Sequence, residues 1–140
     1  METTQDKRRI LIIDDEAGFT RMVKLNLEKA GPYEVREENR ALHAVAAARE
    51  FKPDLILLDV IMPAMDGGDI AAKIKNDPHL RGTPVVFLTA TVSVREAGKG
   101  GLNAGGDLFL AKPISVDALI EVIHKHARHP EPPAEKSAPA

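Results

Sequence analysis

Cysteine is absent from the 140 residues. That removes disulfides, thiolate ligands and thiol nucleophiles from the candidate chemistry, and it fits a cytoplasmic protein. Long apolar runs are missing too: none approaches the roughly 20 residues a helical membrane span needs. The opening, Met1 to Arg9, is polar, and the four apolar residues after it are too few for a signal-peptide core. No sign of charge dominates. Nineteen basic residues stand against 21 acidic ones, for a net charge of −2. That balance argues against a generic binder of nucleic acid or anionic membrane. There is no repeat of useful length and no phosphate loop ending in Gly-Lys-Ser/Thr.

What remains is an ordinary globular composition, 44% hydrophobic and 29% charged, in a chain long enough for one domain with a real core. Short apolar runs carry most of the information. Leu55-Ile56-Leu57-Leu58 and Ile10 to Ile13 read as strands buried on both faces. Val85-Val86-Phe87-Leu88 reads as another fully apolar strand, and Leu108-Phe109-Leu110 as a short fifth one. Tyr33 to Glu37 alternates and is charged, as suits an edge strand. Between the strands, helical spacing is expected over 17–30, with Phe19, Met22, Val23, Leu27 and Ala30 on one face. A second helix is expected over 40–51, capped by Asn39, with Leu42 and Val45 packing inward. A third is expected over 69–75. The last is capped by Ser115, runs to about His126 and packs on Val116, Leu119, Ile120 and Ile123. Ile114 and Leu119 stand at the staple positions around that cap. The stretch 91–106 is crowded with glycine, so the helix that alternation demands over 94–99 should be short. Strands alternating with helices predict a doubly wound α/β domain with a parallel sheet.

The strand ends hold the chemistry. Asp14-Asp15 follow the first strand, Asp59 the third, Thr89 the fourth and Lys112 the fifth. Parallel strands share a carboxyl edge, so these residues should gather where open α/β sheets bind ligands. Three carboxylates repel one another unless a hard cation such as Mg²⁺ intervenes. A cation, a lysine and a hydroxyl around one carboxylate make a receptacle for a phosphoryl group, and carboxylates serve as nucleophiles giving acyl phosphates.

In these motifs the chain resembles the receiver domains of two-component response regulators, of the stand-alone CheY-like type. The matching residues are Asp14-Asp15-Glu16, Leu57-Leu58-Asp59-Val60-Ile61-Met62-Pro63, Met65-Asp66-Gly67, Leu88-Thr89-Ala90 and Ala111-Lys112-Pro113. The resemblance implies a flavodoxin-like (βα)5 sandwich with strand order 2-1-3-4-5. It implies Asp59 as acceptor of phosphate from a phosphohistidine on a sensor histidine kinase or phosphotransfer protein. Asp15, Asp59 and the backbone carbonyl of Ile61 would ligate Mg²⁺, with Asp14 acting mostly through water. Lys112 would pair with the phosphate, and its bond to Pro113 would be cis. Thr89 and Phe109 would form the switch that changes the partners of the face built from the last two helices and the strand between them. Ile61 and Thr91 would flank the path of attacking water, and Ala90 would leave the phosphate accessible. The implied domain plan is a polar arm over 1–8, the receiver over 9–128 and a disordered Pro/Ala-rich tail over 129–140.

Such a chain is a signalling phosphoacceptor rather than an enzyme. Its output passes through a downstream protein or an onward relay, without direct contact to nucleic acid or membrane. Two rivals stand beside this reading. One is a Mg²⁺-dependent phosphohydrolase with an aspartyl-phosphate intermediate, which wants Asp-x-Asp after the first strand and a cap domain. The other is a receiver-like adaptor that is never phosphorylated. Singly, Asp14-Asp15 would be a helix-capping pair, Lys112 a solvated lysine and Phe109 a core residue; their order is what argues for a site. His124, His126 and His129 with Lys125 and Arg128 read as complements to the negative end of the last helix, not as metal ligands.

Overall fold

The computed structural model describes residues 7–62, 67–90, 102–104 and 107–127. Its elements are β1 (Arg8–Ile13), α1 (Ala17–Ala30), β2 (Tyr33–Glu38), a 3₁₀ turn (Ala41–His43), α2 (Ala44–Phe51), β3 (Leu55–Asp59), α3 (Gly67–Asn76), β4 (Val85–Thr89), β5 (Leu102–Ala104), β6 (Asp107–Ala111) and α4 (Val116–His126). The arm over 1–6, the helix expected over 94–99, Thr91 and the tail over 129–140 lie outside the described residues. Arg8, assigned to the arm from sequence, belongs to β1.

Strands β2, β1, β3, β4 and β6 are parallel neighbours in that order. This is the expected 2-1-3-4-5 sheet. A sixth strand was not foreseen: β5 pairs antiparallel with β6, Leu102 opposite Phe109 and Ala104 opposite Asp107. Three residues among glycines carry too little pattern to read as a strand.

Strict alternation divides the sheet between two cores. Ile10, Ile12, Leu55, Leu57 and Leu88 face α1 and α4, meeting Val23, Leu27, Leu119 and Ile123. Leu11, Ile13, Ile56, Leu58 and Phe87 face α2 and α3, meeting Ala48, Phe51, Ile70 and Ile74. β3 is buried along its whole length. Each such aliphatic side chain contributes about 1.5–3 kcal/mol on leaving water. Ser115 caps α4 as expected, its hydroxyl accepting from the Ala118 N–H at 3.1 Å.

The helix faces differ from the sequence reading in places. Met22 and Ala30 are exposed, and the buried positions of α1 are Thr20, Val23 and Leu27. Thr20 is accepted there because its hydroxyl donates to Glu37 Oε1 at 2.7 Å. Asn39 does not cap the next helix. Its side-chain amide donates to the Asp14 carbonyl at 2.8 Å and to Thr20 Oγ1 at 2.9 Å, tying the end of β1 to α1. The chain instead enters α2 through the 3₁₀ turn, whose tighter winding changes the phase of the side chains. Leu42, expected inside, is therefore 69% exposed.

The outer strand β2 has the middle of its free edge tied to α1 at Val35. Glu28 accepts from the Val35 N–H at 2.9 Å and Lys24 donates to the Val35 carbonyl at 2.8 Å. Both come from α1, one turn apart, so an exposed strand edge finds its hydrogen bonds within the chain. Burial pushes the Glu28 carboxyl upward, but the Val35 N–H and Lys24 outweigh it and hold it below its usual range.

Candidate phosphoacceptor site

The carboxyl edge of the sheet brings together the residues that the sequence placed at strand ends. Oxygen atoms of Asp14, Asp15 and Asp59 all lie within 4.8 Å of one another. Asp14 and Asp59 are buried and Asp15 is exposed. Lys112 reaches over from the end of β6. Its Nζ lies 2.9 Å from Asp14 Oδ2, 2.9 Å from Glu16 Oε1 and 3.7 Å from Asp59 Oδ1. The same ammonium sits 4.7 Å from the centre of the Phe19 ring. A cavity of about 330 Å³ opens over the group, lined by Asp15, Glu16, Asp59, Ile61, Thr89, Ala90 and Lys112.

Local backbone holds these side chains in place. Asp14 Oδ1 accepts from the Glu16 N–H at 2.9 Å, which leaves Oδ2 for Lys112. The Lys112 N–H donates to the Thr89 carbonyl at 2.9 Å, joining the ends of β4 and β6, and the Lys112–Pro113 bond is cis, as the resemblance implied. The Ile61 N–H donates to the Asp59 carboxylate, and the Ile61 side chain projects into solvent, 65% exposed. Gly67 packs on the backbone just after Asp59, and its N–H donates to the Val60 carbonyl at 2.8 Å.

Electrostatics follow from this crowding. Burial, then the charge of Asp14, raise the Asp59 carboxyl from the usual 3.8 to about 6, with Lys112 opposing and Asp15 adding a smaller push. Burial alone would lower the Lys112 ammonium, but hydrogen bonds to Asp14 and Glu16 and the field of Asp59 hold it above its ordinary value. The lysine stays charged, and Asp59 is a carboxylate that a positive partner would relieve.

Thr89 is buried at the end of β4 and borders the cavity. Phe109 sits two residues before the end of β6, half-buried, its ring stacked on Phe87 with centroids 5.0 Å apart and planes 18° from parallel. It faces the α2–α3 side of the sheet. His124 and His126 fall in the last turn of α4, as the helix-end reading requires. Sequence reasoning gave no separate role to Glu16, which grips Lys112, or to Asn39 in its network with Asp14. For Glu16 a signal existed, since an acid beside the Asp14-Asp15 pair is close enough to reach the same lysine.

Fold and site together define a doubly wound α/β protein with an oxygen-donor pocket and one lysine at the carboxyl edge of its sheet. The model of the response regulator receiver domain matches residues 10–124, and the chain belongs to that family, the receivers of two-component signalling. Protein PilG of Pseudomonas aeruginosa is 31% identical over 126 residues, covering 90% of this chain and 92% of PilG. The DNA-binding dual master transcriptional regulator RpaA of Synechocystis is 35% identical over 112 residues, covering 80% of this chain but 46% of RpaA. The chain thus spans about half the length of several regulators it matches. Among solved structures, the chemotaxis protein CheY4 of Vibrio cholerae superposes with a TM-score of 0.71 at 27% identity, covering 86% of this chain and 98% of CheY4. Receivers of this family are signalling phosphoacceptors that work with histidine kinases or phosphotransfer proteins and typically bind Mg²⁺ through an acidic cluster, and an Asp14–Asp15–Asp59 group is present here. No helix among the described residues is long and apolar enough to cross a membrane.

Proposed function

We propose that Asp59 is the phosphoacceptor of this receiver and that the chain works as a signalling relay point rather than as an enzyme with a turning-over substrate. The observation that carries the reading is the placement of Asp59: a buried carboxylate lining the cavity, crowded by two acids and faced by a lysine. An Asp59 carboxylate oxygen attacks the phosphorus of a phosphohistidine on a sensor kinase or phosphotransfer protein. An O–P bond forms as the N–P bond breaks, and the imidazole leaves with the electron pair and is protonated by water. Lys112 then takes a phosphoryl oxygen, and the Thr89 hydroxyl turns to another. Phe109 follows Thr89 inward and alters the surface around β6 and α4.

The oxygen-only donor set of Asp14, Asp15 and Asp59, two of them buried, suits a hard dication. Those residues and the Ile61 carbonyl would hold Mg²⁺, which when bound neutralises phosphoryl oxygens and the clustered acids. The near-neutral net charge supports output through a protein partner or onward transfer, without direct contact to nucleic acid.

Intact mass after incubation with Mg²⁺ and acetyl phosphate tests the reading. One phosphoryl adduct is expected, absent in Asp59→Ala. Steady release of phosphate from many phosphomonoesters would favour a phosphohydrolase, and a wild-type protein that takes up nothing would favour an adaptor.

A further inference from the structure

Lys112 holds two carboxylates of opposite character. Asp14 is fully buried, and its second oxygen is committed to the Glu16 N–H. Glu16 is anchored through that same N–H, but its side chain is 64% exposed. Both accept from Nζ at 2.9 Å, whereas Asp59 at 3.7 Å lies beyond hydrogen-bond reach. An ammonium has three donors. Two are taken by Asp14 and Glu16 and the ammonium also sits 4.7 Å from the centre of the Phe19 ring, so turning Nζ toward a phosphoryl group on Asp59 disturbs contacts it already makes. The two present partners do not cost the same to give up. Releasing Asp14 strands an oxygen of a fully buried carboxylate that bulk water does not reach, which is costly. Releasing Glu16 returns an exposed carboxylate to water, which costs little.

We infer that Glu16 is a positioning residue: it holds Lys112 in the unphosphorylated arrangement and is the partner that Lys112 exchanges for the phosphoryl oxygen, so that its grip sets the stability of the phosphorylated state. This deepens the reading of Asp59 as phosphoacceptor and rests on it. Asp14 keeps its bond through the exchange and acts as the pivot. Glu16 touches neither phosphorus nor the attacking oxygen and acts only through the lysine.

The test separates grip from charge. Glu16→Gln removes the negative charge and weakens the hold on Lys112. Glu16→Asp keeps the charge but draws the carboxylate back by one methylene, out of reach of Nζ. Calorimetric titration with beryllofluoride in Mg²⁺, a mimic of the phosphorylated aspartate, reads the affinity. Both variants are expected to bind about threefold to tenfold more tightly than wild type, the scale of one partly exposed charge-assisted hydrogen bond. Thermal midpoints close to wild type would confirm that both are folded. If only the Gln variant tightens, loss of charge explains the effect and the exchange idea is wrong. If neither tightens, Glu16 does not hold Lys112 in any sense that matters. A wild-type protein that fails to bind beryllofluoride would instead overturn the assignment of Asp59.

Discussion

Asp59 stands between a proton and a cation. In the metal-free fold burial and Asp14 favour its protonated form, with a pKa near 6 against an ordinary 3.8. The sign follows from linkage. A folded-state pKa above the unfolded value stabilises the fold fully below about 3.8, and that contribution fades as the pH rises through 6. A bound dication prefers the ionised carboxylate, so it competes with the proton at low pH and meets no competitor above 6. A fixed concentration of Mg²⁺ should therefore raise the thermal midpoint more at pH 7.5 than at pH 5. Equal gains at the two values would show that Asp59 is no ligand. Ile61 gives a second prediction at this scale. Its exposed apolar side chain borders the cavity that holds Asp59, so on the proposed reading it would hinder the approach of water to an acyl phosphate. Ile61→Asn should shorten the lifetime of the acyl phosphate severalfold, measured by loss of adduct with time; an unchanged lifetime would remove the idea.

Elements hold these residues through contacts between backbones more than between side chains. The first residue of α3, Gly67, lies so close to the end of β3 that a Cβ there would press on the Asp59 carbonyl oxygen and come within 2.9 Å of the Val60 Cα. Neither neighbour is a flexible side chain, so relief requires moving the strand that carries Asp59. Gly67→Ala should cost about 1–3 kcal/mol in chemical denaturation and also slow phosphoryl uptake. A variant as stable as wild type would show that the start of α3 can shift freely. From sequence Gly67 is legible as a turn signal, but the close approach to β3 is not. The start of α2 shows the same limit. Asn39 has the chemistry of a helix cap and sits where one is expected, yet the buried end of β1 claims its amide. A residue that satisfies two far-off oxygens is not available to a helix nearby, so the chain winds through a 3₁₀ turn and Leu42 points outward.

The whole molecule is two hydrophobic layers sharing one sheet as a wall. Leu57 belongs to the layer under α1 and α4, and its neighbour Leu58 to the layer under α2 and α3. Both are fully buried. Truncating either to alanine should cost about 2–5 kcal/mol. Because the strands belong to both layers, unfolding should stay a single transition in each variant, with coincident loss of helix signal and compactness. Two separated transitions in Leu58→Ala would mean that the layers fold independently. At this scale the sequence was most informative. Ile10 to Ile13, Leu55 to Leu58 and Val85 to Leu88 are apolar runs of strand length, and helices between them point to parallel pairing.

The sequence by itself determined five of the strands, the described helices with their approximate ends, and the identity of the acids and lysine at the carboxyl edge; the order of the sheet came only with the family resemblance. The first three follow from periodicity and from the rule that parallel strands end together, and both are local in the chain or generic to the fold. Tertiary structure alone decided who holds whom: Lys112 on Asp14 and Glu16 rather than on Asp59, Asn39 on β1 rather than on its helix, Leu42 in solvent, and a short antiparallel strand beside β6. Each of these is a choice among competing partners. Differences of an ångström between segments far apart in the chain settle it, and no spacing within the chain records those distances.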